Sequence, residues 1–150
     1  MRWIVASAVF LFALGSAAPA FAQYEHYILP NDVELAVRRV MAPVQGTAWL
    51  HAYYSNSAMG DISIIGIADK GTSCPAMFRI VYPDSSPRYP QYHATQEFGD
   101  CTDVPTIEFA PNRIIIRFGG WPKSQRHSFV APSTYVFANR TLRQLNKRGT

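Results

Sequence analysis

The sequence predicts a mainly β domain, either an antiparallel sandwich or a partly open barrel, with one short N-terminal helix and one disulfide. Short runs rich in β-branched and aromatic residues recur at intervals of about 8–12 residues, which is typical of such folds. Most of the 11 prolines lie between those runs, as expected for residues that interrupt strands. The chain has 150 residues, which is room for one domain.

Residues 1–22 have the order of a cleavable signal peptide. Arg2 supplies a positive charge, residues 3–14 form an apolar run, and residues 20–22 (Ala-Phe-Ala) form an A-x-A cleavage site. The apolar run is too short to span a bilayer. This order predicts export to the periplasm or secretion, with a mature chain that begins at Gln23 and contains no transmembrane span.

Residues 23–139 are expected to form a single β-rich domain that starts with a helix, and residues 140–150 a basic C-terminal end. Asn31 followed three positions later by Glu34 resembles a helix N-cap, and Pro43 ends the pattern. Apolar residues then recur at the spacing of one helical face: Val33, Ala36, Val37, Val40 and Met41. The alternation of Val33, Leu35 and Val37 leaves a strand as the alternative.

Eight later segments have the composition of strands. Two pairs of them flank turn-like residues, at 110–112 (Ala-Pro-Asn) and at Asn139-Arg140, so both pairs are expected to form hairpins. The predicted strands are residues 47–54, 61–68, 76–82, 92–98, 106–109, 113–118, 133–137 and 141–145.

The chain's two cysteines, Cys74 and Cys101, are expected to form a disulfide, because an even number of cysteines in a small exported domain is typical of disulfide bonding. Closing that loop would contribute about 3.5 kcal/mol on the chain-entropy model. If the flanking strands pair antiparallel, the bond also predicts a register. That register places opposite each other the pairs Phe78–Glu97, Ile80–Thr95 and Tyr82–His93.

The charge of the chain is concentrated at its C-terminus. The formal net charge is +4, from 14 basic and 10 acidic residues. The last eleven positions contain no acidic residue and four basic ones, namely Arg140, Arg143, Lys147 and Arg148. The rest of the predicted domain is close to neutral, so the sequence lacks the basic face expected of a nucleic-acid-binding protein.

Two cysteine-containing blocks carry a resemblance. Residues 71–78 match G-x-x-C-P-A-x-[FY], residues 97–103 match E-F-G-x-C-[ST]-D, and an isoleucine-rich strand then leads into residues 119–122 (Gly-Gly-Trp-Pro). This arrangement resembles a group of small exported bacterial proteins of uncharacterised role, over roughly residues 60–121. The resemblance implies a shared disulfide hairpin and an exported location, and it assigns no functional residue. A fainter similarity is to periplasmic proteins associated with bacterial secretion systems.

The sequence contains no familiar catalytic, metal or nucleotide motif such as H-E-x-x-H, G-x-S-x-G or a P-loop. The four histidines are scattered, without the spacing of a metal site. Asp100 and Asp103 flank Cys101 in a turn-like segment, where aspartate commonly bonds its own backbone. No enzymatic activity and no cofactor are therefore expected, although a hydrolase built from separated strands stays open as a hypothesis.

Two loops have the composition of protein-binding surfaces, which favour tyrosine, tryptophan and arginine. They are residues 82–92 and 119–127, and the alternative is that Tyr92 and Trp121 pack into the core. The sequence thus favours a non-enzymatic protein-binding module of the periplasm or cell envelope, with an envelope or secreted protein as partner. Alternatives are an inhibitor of a lytic enzyme such as lysozyme and a secretion-system accessory protein. The candidate binding residues are Tyr82, Arg88, Tyr89, Tyr92, Trp121 and Lys123.

We expect the exported chain to carry its two cysteines oxidised. Intact-mass spectrometry should find the untreated product two hydrogen masses lighter than the reduced product, because forming the bond removes two thiol hydrogens. Alkylation before reduction should add no label, whereas alkylation after reduction should label both thiols. Two labelled thiols in the natively exported, unreduced product would contradict the prediction.

Overall fold

Two four-stranded antiparallel sheets and one helix make up the described part of the chain. The computed structural model describes residues 29–68, 76–100, 104–122 and 128–145. The predicted signal peptide, Cys74, Cys101 and Lys123 lie outside those ranges, so the cleavage and the disulfide stay predictions. The elements in chain order are α1 (Asn31–Met41), β1 (Thr47–Asn56), β2 (Gly60–Ala68), β3 (Met77–Pro83), β4 (Tyr92–Ala94), β5 (Thr106–Ala110), β6 (Arg113–Phe118), β7 (Ser133–Ala138) and β8 (Thr141–Gln144).

The strands form two sheets, each with the strands in sequence order. Sheet A is β1-β2-β3-β4 and sheet B is β5-β6-β7-β8, and every pairing is antiparallel. Within the described ranges no strand of one sheet pairs with a strand of the other. The predicted mainly β fold class is confirmed, and of its two forms the structure is the sandwich.

Side chains that alternate along the strands fill the space between the sheets. On β6, Ile114, Ile116 and Phe118 are at most 2 % exposed, while the residues between them face away from sheet A. Ile64 and Ile80 from sheet A close the same core. Full burial of such a side chain stabilises the fold by about 1.5–3 kcal/mol, so this period of two is the main stabilising pattern of the fold.

Phe78 lies at the centre of the core between the sheets. Its ring contacts four other rings, with centroid distances of 5.3 Å to His51, 5.6 Å to Phe118, 6.2 Å to Phe98 and 6.4 Å to Trp49. The contacts with His51 and Trp49 are edge-to-face, the arrangement that the ring quadrupole favours. Rings from β1, β3, β6 and the chain after β4 therefore meet at one side chain.

Helix α1 covers the face of sheet A that points away from sheet B. Its buried residues pack against the second apolar cluster, to which β2 and β3 contribute Ile65, Ile67 and Val81. Strand β2 is thus buried on both faces, so its residues 62–67, Ser63 among them, are buried without a break. The alternation of Val33, Leu35 and Val37 left a strand as the alternative for this segment. Leu35 is 65 % exposed, so these three residues do not share a buried face. The buried helix residues are Val33, Val37 and Met41.

The predicted N-cap of α1 is wrong. Pro30 occupies the cap position and makes no side-chain capping bond, and Asn31 is the first helical residue. Glu34 does not reach back to cap the helix because its carboxylate accepts hydrogen bonds from Arg38, at 2.7 Å and 2.9 Å. The proline ring fixes φ near the helical value, and Pro30 has φ −53°, so the helix starts without a polar cap.

Both predicted hairpin turns are present. Residues 111–112 join β5 to β6, and Asn139-Arg140 joins β7 to β8 with φ of 49° and 59°. Positive φ at both central residues is the geometry that matches the twist of a two-residue hairpin, and asparagine tolerates it. Strand β8 lies beyond residue 139 and pairs with β7, so the β-rich part continues to Gln144.

The register predicted between β3 and β4 is confirmed at one end and wrong at the other. Tyr82 lies opposite His93, and Ile80 and Thr95 exchange hydrogen bonds, both as expected. Phe78, however, pairs with Phe98 rather than with Glu97. The Ile80 N–H donates to the Thr95 hydroxyl oxygen at 3.0 Å instead of to a backbone carbonyl. An extra residue on that side then shifts the pairing by one, and β4 ends at Ala94 instead of residue 98.

Within the described ranges, no helix is both long and apolar enough to cross a membrane.

We expect Phe78→Ala to lower the free energy of unfolding by about 3–5 kcal/mol, the cost of removing a buried ring and leaving a cavity. Equilibrium urea unfolding followed by tryptophan fluorescence would measure the change. Phe129→Ala is the matched control, because Phe129 is 64 % exposed, and it should change stability by no more than about 0.5 kcal/mol. Equal effects of the two variants would contradict the central place of Phe78.

Candidate functional site

The loop between β3 and β4, residues 84–91, is held closed at its base. The Asp84 N–H donates to the Gln91 carbonyl oxygen at 2.7 Å. One carboxylate oxygen of Asp84 accepts the N–H groups of Ser86, at 2.9 Å, and Gln91, at 3.2 Å. Since prolines also restrict φ at two exposed positions of the loop, Pro87 and Pro90, much of its backbone is ordered by the chain itself. We call these residues the Tyr89 loop.

The tyrosines that flank the Tyr89 loop pack into the two cores. The ring of Tyr82 lies 5.1 Å from that of Phe137, between the sheets, while Tyr92 packs with the cluster beneath α1. Arg88 is exposed, and Tyr89 is 82 % exposed. Of the candidate binding residues in this loop, the structure therefore presents Arg88 and Tyr89 to solvent, while Tyr82 and Tyr92 hold the ends of the loop.

Hydrogen bonds join the Tyr89 loop and the hairpin turns at one end of the sandwich. Arg140 Nε donates to the Pro83 carbonyl oxygen at 3.0 Å, which links the β7–β8 turn to the base of the loop. Asn56 Nδ2 donates to the Pro111 carbonyl oxygen at 2.9 Å, which links the β1–β2 and β5–β6 turns. We call this end of the molecule the hairpin end. It is stiffened by bonds that run from sheet A to sheet B.

Trp121 lies at the other end of the sandwich. Strand β6 starts at the hairpin end and runs from Arg113 to Phe118, a length of about 17 Å, before the chain reaches Trp121. Trp121 is half-buried, and its backbone exchanges hydrogen bonds with Val130 at 2.8 Å and 2.9 Å. The two loops singled out from the sequence therefore do not form one surface, and Lys123 lies outside the described residues.

A hydrogen-bonded group on the helix side of sheet A fixes Tyr92. Tyr53 Oη donates to Asp61 Oδ1 at 2.6 Å, and Tyr92 Oη donates to Asp61 Oδ2 at 3.4 Å. Partial burial and then the negative charges of Asp61 and Asp32 raise the pKa of Tyr92 to about 12. Partial burial and the bond to Asp61 also raise the pKa of Tyr53. Both hydroxyl groups are thus held as neutral donors.

His51 is the extra residue of a bulge in β1. The register of β1 against β2 shifts between Leu50 and Ala52, and the imidazole turns toward Phe78. Burial lowers the pKa of His51, because the charged form loses its hydration. Among the described residues, no three histidine, cysteine, aspartate or glutamate side chains gather as a metal site would require.

A groove of about 460 Å³ runs between α1 and β1. Its walls are largely apolar and include Leu29, Met41 and Leu50. Glu34 and Arg38 are the ionisable side chains among the described residues that line it, and they form an ion pair of 2.7 Å with each other. The groove is therefore apolar, and the ion pair between Glu34 and Arg38 at its edge carries no net charge.

The sequence interpretation missed three residues that shape the site. Asp84 follows Pro83 and precedes two serines, a turn signature that could have identified it as the brace of the Tyr89 loop. The sequence predicts Arg140 in a hairpin turn and in a basic end, but it does not indicate that the side chain bonds to Pro83, 57 residues away along the chain. Asp61 lies 31 residues from Tyr92, and no local pattern connects them.

The chain was compared with known proteins in three ways, and none gave a match: no family model, no curated protein and no solved structure is similar to it.

We expect Tyr92 to make the protein sensitive to alkali. Its pKa in the fold, about 12, lies above the ordinary value of 10.0, so its contribution to stability is complete below pH 10 and is lost as the pH rises toward 12. Tyr92→Phe removes the ionisable hydroxyl and should therefore reduce the loss of stability between about pH 8 and about pH 11, measured by urea unfolding.

Tyr89→Phe is the control for this measurement, because it removes a hydroxyl from a ring that is 82 % exposed. This variant should lose as much stability over the same pH interval as the unsubstituted protein. If Tyr92→Phe behaved like the control, the assignment of Tyr92 as a neutral donor to Asp61 would be wrong.

Proposed function

We propose that this protein is a non-enzymatic protein-binding module of the bacterial periplasm or cell envelope. The signal-peptide pattern of residues 1–22 and the pair of cysteines support the location. The observation that carries the binding role is Tyr89, a ring 82 % exposed on a loop that Asp84 and Arg140 brace.

A braced loop lowers the cost of binding. Ordering of loops and side chains opposes association, so a surface that is already ordered keeps more of its contact energy. Tyrosine and arginine are enriched among the residues that dominate interfaces, and tyrosine has few rotatable bonds to immobilise. An exposed aromatic ring contributes no burial energy to the fold, yet two prolines and the hydrogen bonds of the half-buried Asp84 order the loop that presents Tyr89.

The interface is tested by capture of partners from an envelope extract of the native host. We expect the unsubstituted protein and Leu35→Ala to recover the same partner, and Tyr89→Ala to recover at least about tenfold less of it, the loss typical of an interface hot spot. Leu35 is the matched control because it is also largely exposed, at 65 %, but lies on α1. A photo-crosslinking residue at position 89 should label the partner. The same residue at position 35 gives the reference level of labelling.

Two results would overturn the proposal. Identical partner sets for Tyr89→Ala and the unsubstituted protein would show that the Tyr89 loop is not the interface. Loss of capture with Trp121→Ala alone would move the interface to the other end of the sandwich. Circular dichroism must show that each variant retains the thermal unfolding of the parent, because Trp121 is half-buried.

A further inference from the structure

The face of sheet B that points away from sheet A carries a mixed apolar and basic surface. Because Ile114, Ile116 and Phe137 are at most 1 % exposed and face the core, their strand neighbours face outward. We call this surface the outer face of sheet B. It carries Arg113, Ile115 and Arg117 from β6, Val136 and Ala138 from β7, and Thr141 and Arg143 from β8.

Sheet A shows how this fold covers such a face. There, α1 places Val33, Val37 and Met41 against the sheet and buries them to 9 % exposure or less. Among the described residues, no element covers the outer face of sheet B. Ile115 and Val136 are half-buried at its centre, and Leu145 beside them is 62 % exposed. A hollow of about 290 Å³ lies between Val136, Leu145 and the stems of neighbouring β8 residues.

The charge around this hollow is positive. The carboxylate of Glu108 on β5 is 2.9 Å from Arg117 and neutralises it. Arg113 and Arg143 have no carboxylate partner within the described ranges. They lie on the two strands that flank β7 and are offset by two residues in register, which puts them about 12 Å apart across the sheet. Two carboxylates two turns apart on one face of a helix have a similar separation, about 11 Å.

We propose that the outer face of sheet B docks an acidic, amphipathic helical segment of a protein partner. Apolar residues of the segment fill the hollow at Val136 and Leu145, and carboxylates two turns apart pair with Arg113 and Arg143. This inference rests on the proposed function and gives the chemistry of its partner. This face adjoins the hairpin end at the β7–β8 turn, where Arg140 bonds to Pro83 at the base of the Tyr89 loop.

The geometry favours a polypeptide over an anionic membrane. A peripheral membrane site needs protruding apolar side chains that enter the acyl region. Here Ile115 and Val136 are half-buried at the level of the sheet, the exposed Leu145 lies at the end of β8, and the longer arginines stand around them. The surface therefore suits a partner with ridges of its own. Its charge also disfavours a basic lytic enzyme as the target, because like charges would face each other.

The test uses the complete mature protein, labelled with ¹⁵N, and a synthetic helical peptide with leucines on one face and glutamates two turns apart beside them. The control peptide has lysine in place of each glutamate. We expect the acidic peptide, but not the lysine control peptide, to shift backbone amide signals of the protein. These shifts should be confined to β6, β7 and β8. Arg143→Glu should weaken binding about tenfold or more. Arg39→Glu changes the net charge equally on the exposed surface of α1 and should change affinity by no more than about twofold.

Three results would overturn the docking site. Equal weakening by Arg143→Glu and Arg39→Glu would reduce the effect to general charge attraction. Amide shifts confined to the groove beside α1 would place the peptide elsewhere. Binding of phosphatidylglycerol vesicles with no binding of the peptide would make the face a membrane surface.

The same variants separate this inference from the proposed function. If Tyr89→Ala loses the native partner while Arg143→Glu retains it and binds the peptide unchanged, the proposed function stands and the docking site fails. If Arg143→Glu loses the peptide while Tyr89→Ala captures the native partner unchanged, the acidic docking site stands and the Tyr89 interface fails.

Discussion

The two sheets hold together through rings that converge on Phe78. The rings come from β1, β3, β6 and the chain after β4, and the distances between their centroids are those of favourable edge and offset contacts. The strands pair through backbone hydrogen bonds only within their own sheet, so the sheets depend mainly on this apolar contact for their relative position. The position of the hairpin end follows, because its cross-sheet bonds reach their partners only when the sheets are packed face to face.

The candidate site lies at the hairpin end, where short-range polar contacts hold its loops in place. Arg140 and Asn56 each use one side-chain nitrogen to hold a carbonyl of another turn, and Asp84 holds two amides of its own loop. Such bonds contribute only about 0.5–1.5 kcal/mol each. They act mainly by restricting loop geometry, and this is why an exposed tyrosine can sit on an ordered loop. The outer face of sheet B borders this end at the β7–β8 turn.

The strand pattern and the two hairpin turns could be predicted because both depend on local chemistry. Alternating apolar residues define β6, and Asn139 suits a turn that needs positive φ. The pairing beyond Ile80 could not be predicted in the same way, since the Thr95 hydroxyl replaces a backbone acceptor and adds a residue to one side. The candidate site likewise combines features that local sequence predicts with contacts that depend on the tertiary fold. The exposure of Tyr89 agreed with its loop composition, whereas the bond between Tyr92 and Asp61 depends on the pairing of β2 and β4 with the two edges of β3.

The sequential order of the strands determines when each part of the interior can close. Within each sheet every strand pairs with its neighbour in the chain, so each hairpin can form as soon as its second strand has been synthesised, at a small loop-closure cost. Phe78 must wait for Phe118, which arrives two hairpins later. During that interval the apolar inner face of sheet A stays exposed to water. A chain that is synthesised or exported with its N-terminus first is therefore most prone to aggregation, and most accessible to a chaperone, after sheet A has formed and before sheet B has formed.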